Sequence, residues 1–236
     1  MVSLNRRGSH FCGGTLITDR DILTAGHCLC TGIGEELISP AKIKISISQH
    51  DLEHSAGSAF EMAVDKIMVH PEYSCKKVRH DLAIIRMNGR VPWSATVGPA
   101  CLPAANGEDS YSQFSNTTAT VAGWGWTNEN RGTGNRASIL QKGKVHILEN
   151  ETCRTWYQSQ GKKTKIQGGQ MCAGHEQGGI DACWADSGGP LMVQSHGQAM
   201  IVGVVSTGIG CARPLLPGLY TRISEYVPWI RSTLDS

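Results

Sequence analysis

Residues 42–48 read Lys-Ile-Lys-Ile-Ser-Ile-Ser, a strict alternation that puts Ile43, Ile45 and Ile47 on one face. Side chains alternate across a strand, so this pattern predicts a half-buried β-strand. Shorter β-rich runs follow at 62–69, 82–87, 119–122, 144–148 and 200–206. Turn residues separate them, at 32–36, Asn88-Gly89, Asn106-Gly107, 128–135, Gly168-Gly169 and Gly178-Gly179. Helical periodicity is nearly absent until the end. There Ile223, Tyr226, Val227, Ile230 and Leu234 recur at helical spacing, with Ser224 as the expected N-cap and Pro228 tolerable only in an early turn. The pattern predicts an all-β fold, antiparallel barrels or a sandwich, closed by one amphipathic helix over about 224–235.

Composition narrows the function classes. The chain has 236 residues, a length that suits one large domain, and residues 103–118 form the natural seam between its halves. Lys plus Arg number 22 and Asp plus Glu 20, a balance that speaks against a nucleic-acid partner. Gly at 28 and charged residues at 18% suit a turn-rich β protein and exclude a coiled coil. No apolar run is long enough for a membrane-spanning helix, so no membrane partner is expected.

Cysteines stand at 12, 28, 30, 75, 101, 153, 172, 183 and 211. A zinc cluster drawn from His10, Cys12, His27, Cys28 and Cys30 lacks paired ligand spacing, so disulfides in an oxidising, extracellular compartment are expected. The count of nine is odd, leaving one thiol free or joined to another chain. Sequons at Asn116 and Asn150 make both candidate glycosylation sites of a secreted protein. The start, Met1-Val-Ser-Leu-Asn-Arg-Arg, has no apolar signal region. The expectation is that the natural N-terminus lies upstream.

Three motifs carry chemistry: Leu23-Thr24-Ala25-Gly26-His27-Cys28, His80-Asp81-Leu82-Ala83, and Asp181-Ala182-Cys183-Trp184-Ala185-Asp186-Ser187-Gly188-Gly189-Pro190. Singly, each has an ordinary explanation: a core His, a turn Asp, a Gly-rich loop. Together, in the order His, Asp, Ser, they supply the groups of a base-activated nucleophile. With Phe11-Cys12-Gly13-Gly14, Ala122-Gly123-Trp124-Gly125, Pro217-Gly218-Leu219-Tyr220 and the final Trp229-Ile230, the chain resembles the trypsin-like serine proteases of the chymotrypsin family. The resemblance covers nearly the whole chain. It implies two six-stranded antiparallel barrels in one peptidase domain over 1–236, the first over about 1–102 and the second over about 119–222.

That resemblance assigns roles. His27, Asp81 and Ser187 would form the catalytic triad, and the N–H groups of Ala185 and Ser187 the oxyanion hole. Asp181 would select Arg or Lys at P1, the residue preceding the cleaved bond, in a pocket also lined by Ala182, Ser206, Gly208 and Gly218. Asp186 would be the zymogen switch, pairing with a cleaved amino terminus that this chain does not begin with. Cys12–Cys28, Cys153–Cys172 and Cys183–Cys211 pair by resemblance, and the triad draws Cys30 near Cys75. Cys101 is left to tether an upstream pro-segment, and protein inhibitors are expected partners.

Departures from the family matter too. Ala185 stands where relatives nearly always have Gly, and Thr207 replaces a Trp beyond the P1 pocket. The loop over 29–41 is enlarged. In the stretch matching the family's calcium loop, Gln49, Ala56 and Ala59 stand where acidic ligands are expected. Asp51, Glu53 and Glu61 remain, too few for a strong site, so no cofactor is expected. The first barrel is expected to lack upstream strand residues. A second reading, a weak or inactive homologue serving as a protein-binding module, draws on Ala185 and Thr207.

Overall fold

Backbone pairing in the computed structural model, which describes residues 1–54, 59–105, 114–130 and 132–236, closes two barrels. The first comprises β1 (Val2–Arg6), β2 (Ser9–Leu16), β3 (Asp21–Thr24), β4 (Lys44–Ile47), β5 (Phe60–Val69) and β6 (Ala83–Met87). The second comprises β7 (Thr118–Gly123), β8 (Gln141–Leu148), β9 (Gln170–Gly174), β10 (Pro190–Ser195), β11 (Gln198–Thr207) and β12 (Gly218–Arg222). Two helices, α1 (Asn150–Ser159) and α2 (Ile223–Leu234), complete the fold. All strand pairings within the barrels are antiparallel, in the order β1-β2-β3-β6-β5-β4 and β10-β11-β12-β9-β8-β7.

The alternating isoleucines all point inward: Ile43, Ile45 and Ile47 are at most 1% exposed. Ser46, on the nominally polar face, is buried as well and accepts a hydrogen bond from Asn5 Nδ2 at 2.8 Å. Asn5 lies on β1, which corrects the expectation of an incomplete first barrel. Val2–Arg6 pairs with β2 on one side and β4 on the other, so the sequence's own first residues close it.

Two further expectations need correction. The helix α1 is not among the expected elements because its apolar stripe is a single turn, Cys153, Trp156 and Tyr157, among polar neighbours. One turn is too short to stand out as periodicity. At α2 the N-cap is Arg222, not Ser224, and no side chain caps the helix. The Arg222 guanidinium is spent elsewhere, on the carbonyls of Gly168 and Gln170 and on Asn150 Oδ1. Pro228 sits inside α2, where its missing N–H removes one intrahelical bond.

The C-terminal helix joins the barrels. Ile223, Tyr226, Val227 and Ile230 belong to the same core cluster as Leu4, Ile22, Ile45 and Ile84 of the first barrel. Arg86, buried on β6, pairs with Asp21 at 2.8 Å and donates from Nη2 to the Leu234 carbonyl at 3.1 Å. A cation there complements the exposed carbonyls and dipole of the helix C-terminus.

Four disulfides link Cys12–Cys28, Cys30–Cys75, Cys153–Cys172 and Cys183–Cys211, and Cys101 is the free cysteine. The pairing agrees with expectation and withdraws the cysteines from any zinc cluster. Ala56 and the Asn106-Gly107 turn lie outside the described residues. The Cys30–Cys75 bridge spans a sequence separation of 45 residues. Loop-closure entropy makes a bridge of that span worth about 4 kcal/mol. Replacing both cysteines with Ser should therefore lower the unfolding free energy by about that amount, measurable by denaturant titration without reductant.

Candidate active site

The His27 side chain is presented by a 3-10 turn, Gly26–Leu29, that follows β3, and its neighbour Cys28 is fixed by the bond to Cys12. His80 takes a left-handed backbone, φ 52°, immediately before Asp81. Asp81 itself is buried, and its polar atoms are met by both barrels. Its Oδ1 accepts from the His27 backbone N–H at 2.8 Å, and its Oδ2 lies 2.8 Å from His27 Nδ1. From the second barrel, Ser206 Oγ donates to Oδ2 at 2.5 Å and Thr221 Oγ1 donates to the Asp81 carbonyl at 2.7 Å.

Electrostatics follow from that enclosure. Burial pushes the Asp81 carboxyl up, but the His27 charge and the hydrogen bonds from His27 and Ser206 outweigh it and hold the pKa below the usual range. Burial likewise pushes His27 down, and Asp81's charge and hydrogen bond reverse this to a net rise. The pair thus favours an imidazole whose Nδ1 bears a proton and whose Nε2 is open toward the cleft.

Ser187 reaches the same cavity from a tight turn of the second barrel. Its carbonyl accepts from the Gly13 amide at 2.8 Å, and Gly188 follows with φ 78°. A Cβ on Gly188 would collide with Thr24 Oγ1 and the Gly13 carbonyl, so this approach of the barrels requires glycine. Among the described residues no hydrogen bond runs from Ser187 to His27. Such contacts tighten in substrate complexes, so that spacing is compatible with nucleophile and base.

Ala185 also adopts a left-handed backbone, φ 73°. A residue with a Cβ loses about 1–2 kcal/mol there, which gives the expected strain a geometric basis. What holds the turn is His10, whose Nε2 donates to the Ala185 carbonyl at 3.1 Å while Nδ1 lies 2.7 Å from Ser3 Oγ. Burial lowers the His10 pKa to about 4, so the ring is neutral and fixed in one tautomer. Next to it, the Asp186 carboxylate accepts from the amides of Gly125 at 2.7 Å and Cys183 at 2.9 Å. Burial raises its pKa against those two bonds and the charge of Arg136.

The cavity, about 370 Å³, is lined by His27, Ser187 and Asp181 together. Ala182 N donates to Asp181 Oδ1 at 2.8 Å and Ala212 N to Oδ2 at 3.2 Å. Burial still dominates and lifts the Asp181 pKa to about 6. A side chain at Gly218 would displace the Asp181 carboxylate, since its Cβ would stand 2.7 Å from Oδ1. Gly208 has more room, its nearest such neighbour being 3.6 Å away, so only the open cavity is lost if it is filled.

The structure therefore gathers His27, Asp81, Ser187, Asp181, Ala182, Ser206, Gly208 and Gly218 around one cavity. Ser206 lines that cavity, and its hydroxyl also donates to Asp81 Oδ2. Thr221, a second support of Asp81, directly follows the Pro217–Tyr220 motif, but nothing in that motif marks its hydroxyl as a partner of Asp81. Of the two sequons, Asn116 is exposed on a turn, whereas Asn150 is half-buried and accepts from Arg222 Nη2 at 3.0 Å. The Cys101 thiol donates to Gln198 Oε1 at 3.1 Å.

Comparison with known proteins matches this geometry. The Trypsin family profile aligns with residues 1–230. The chain is 38% identical to serine proteinase stubble of Drosophila melanogaster over 94% of its own length, but it spans only 27% of that protein. It is 33% identical to trypsin-1 of Astacus astacus, over 94% of this chain and 87% of the relative. It is 34% identical to the clotting factor G beta subunit of Tachypleus tridentatus, over 98% and 74% respectively. With two closed barrels, a buried Asp–His pair and a serine at the shared cleft, the chain belongs to the trypsin family of serine proteases.

Proposed function

We propose that the chain is the peptidase domain of a secreted, zymogen-derived endopeptidase that cleaves after Arg, and less well after Lys. The observation that carries this is one cavity whose lining includes His27, Ser187 and the carboxylate of Asp181. An extended cationic side chain in that cavity would meet Asp181 and leave its carbonyl beside Ser187. Arg suits a recessed carboxylate better than Lys because its planar fork binds two oxygens at once.

The mechanism follows from the side chains. Ser187 Oγ attacks the scissile carbonyl as His27 Nε2 takes its proton. Asp81 fixes the imidazole tautomer and stabilises the imidazolium, and the oxyanion rests on the N–H groups of Ala185 and Ser187. His27 then protonates the leaving amine, and water repeats the sequence on the acyl-enzyme. Asp186, cradled by two amides without an ion-pair partner among the described residues, supports the role of switch: a freed amine beside it would neutralise its buried charge. Four disulfides support the extracellular assignment, and among the described residues no helix is long and apolar enough to cross a membrane. Exposure favours Asn116 over Asn150 as a glycan acceptor. No calcium is invoked, because the Asp51 carboxylate is taken up by the Glu53 amide and by His54. Cys101 keeps its proposed role as tether to a pro-segment, and protein inhibitors would occupy the same cleft. Ala185 favours the second reading, a binding module of low activity, to the extent that its strain withdraws one oxyanion donor.

Ser187→Ala in the activated protein should abolish labelling by a phosphonofluoridate and nearly all hydrolysis, and His27→Ala should cost almost as much. Labelling that persists in Ser187→Ala would end the assignment. With matched substrates, kcat/KM should favour Arg over Lys, since Ala182 offers no hydroxyl to an ammonium that stops short of Asp181. Because the Asp181 pKa lies at about 6, its negative charge is present above that pH and lost below it. KM for an Arg substrate should rise steeply as pH falls through about 6, with no such rise for a substrate uncharged at P1. Ala185→Gly should relieve the left-handed strain, raising stability by about 1 kcal/mol in denaturant titration and raising kcat on the same Arg substrate.

A further inference from the structure

The catalytic cavity does not stop at the mouth of the Asp181 pocket. It continues to Lys76, Lys77 and Val78, on the segment that follows Tyr73. Across that extension lies the end of β11, where Thr207 offers a small polar side chain and Gly208 none. Tyr73, Val78 and Trp184 give the same cavity its apolar surfaces, so the two lysines are its cationic feature.

The lysine segment is held from both barrels. Cys75 is bonded to Cys30, and the Glu35 carboxylate accepts from Ser74 Oγ at 2.9 Å and from the Cys75 amide at 2.8 Å. On the other side Gln170 Nε2 donates to the Val78 carbonyl at 3.3 Å and Arg79 Nε donates to Gln167 Oε1 at 2.8 Å. Lys77 N closes a turn onto the Ser74 carbonyl at 2.9 Å. The backbone that carries both lysines is thus held in place, while their ammonium groups extend into solvent. Lys76 stands 3.9 Å from Glu35, with both side chains mostly exposed, a pairing of little energy in water. Lys77 makes no contact ion pair among the described residues, though the Glu35 carboxylate lies within electrostatic reach of both lysines.

We propose that Lys76 and Lys77 form a subsite for acidic side chains, so that the substrate carries Asp or Glu shortly before its cleaved Arg or Lys. Charge on this segment would act mainly by steering and orienting the chain, an effect that salt screens. The inference rests on Asp181 being the P1 site, since that fixes which end of the substrate passes the lysines.

The test uses fluorogenic peptides with Glu-Glu, Gln-Gln or Lys-Lys ahead of a common Gly-Arg, each rate divided by the same protein's rate on benzoyl-Arg ethyl ester. At low ionic strength the Glu peptide should exceed the Gln peptide in kcat/KM by about fivefold, and the gap should shrink in about 0.5 M salt. The double variant Lys76→Glu/Lys77→Glu should reverse the order. In parallel, fluorescence anisotropy of the same peptides on Ser187→Ala measures affinity without turnover. A Glu peptide no better than Gln at low salt, or a preference that survives charge reversal, overturns the proposal. If benzoyl-Arg ester is not hydrolysed while Ser187→Ala still prefers the Glu peptide, the catalytic reading fails and the acidic subsite stands.

Discussion

The buried carboxylate of Asp81 is the constraint on which the two barrels agree. An ionised group taken out of water costs several kcal/mol unless every oxygen is met. Asp81 is met by His27 from one barrel and by Ser206 and Thr221 from the other. The barrels therefore cannot slide past each other without exposing an unpaired charge. The cleft owes its geometry to this requirement as much as to apolar packing.

Around that centre the second barrel repeats one device, a recessed carboxylate held by backbone amides. Asp181 has Ala182 and Ala212, and Asp186 has Gly125 and Cys183. In both, burial wins over the amides and raises the pKa. Each is a site short of one positive charge. The first opens into the catalytic cavity. The second lines a separate cavity beside Gly123 and Gly125, at either of which a Cβ would collide with its carboxyl.

How much of this was legible in the sequence depended on the kind of signal. Alternation found Lys44–Ile47 because one face of it is wholly apolar, and the runs in β5, β6, β7, β8 and β11 became strands as expected. It missed β1, whose burial pattern is continuous at Val2, Ser3 and Leu4 and contains a serine. Short β9 and β12, buried on nearly all sides, give no alternation either. Triad and disulfides were legible through motifs, and the Cys30–Cys75 bridge through the closeness a triad imposes. Ser206 and Thr221 were not legible as supports of Asp81, since a lone hydroxyl in a strand carries no pattern. Ala185 was marked by a substitution, and its φ of 73° gives that mark a physical meaning.

Barrel closure has a consequence for survival among proteases. An open sheet ends in a strand with unpaired amides and carbonyls, which another chain can join or a protease can draw out. Here β1 returns to β4 and β10 to β7, so each of the twelve strands is hydrogen-bonded on both sides. A protease cleft takes an extended segment, and none can be lent from these barrels without first breaking a ladder on two flanks. A cut in a connecting loop leaves both ladders of each neighbouring strand in place, so the closed barrels offer a protease no free edge.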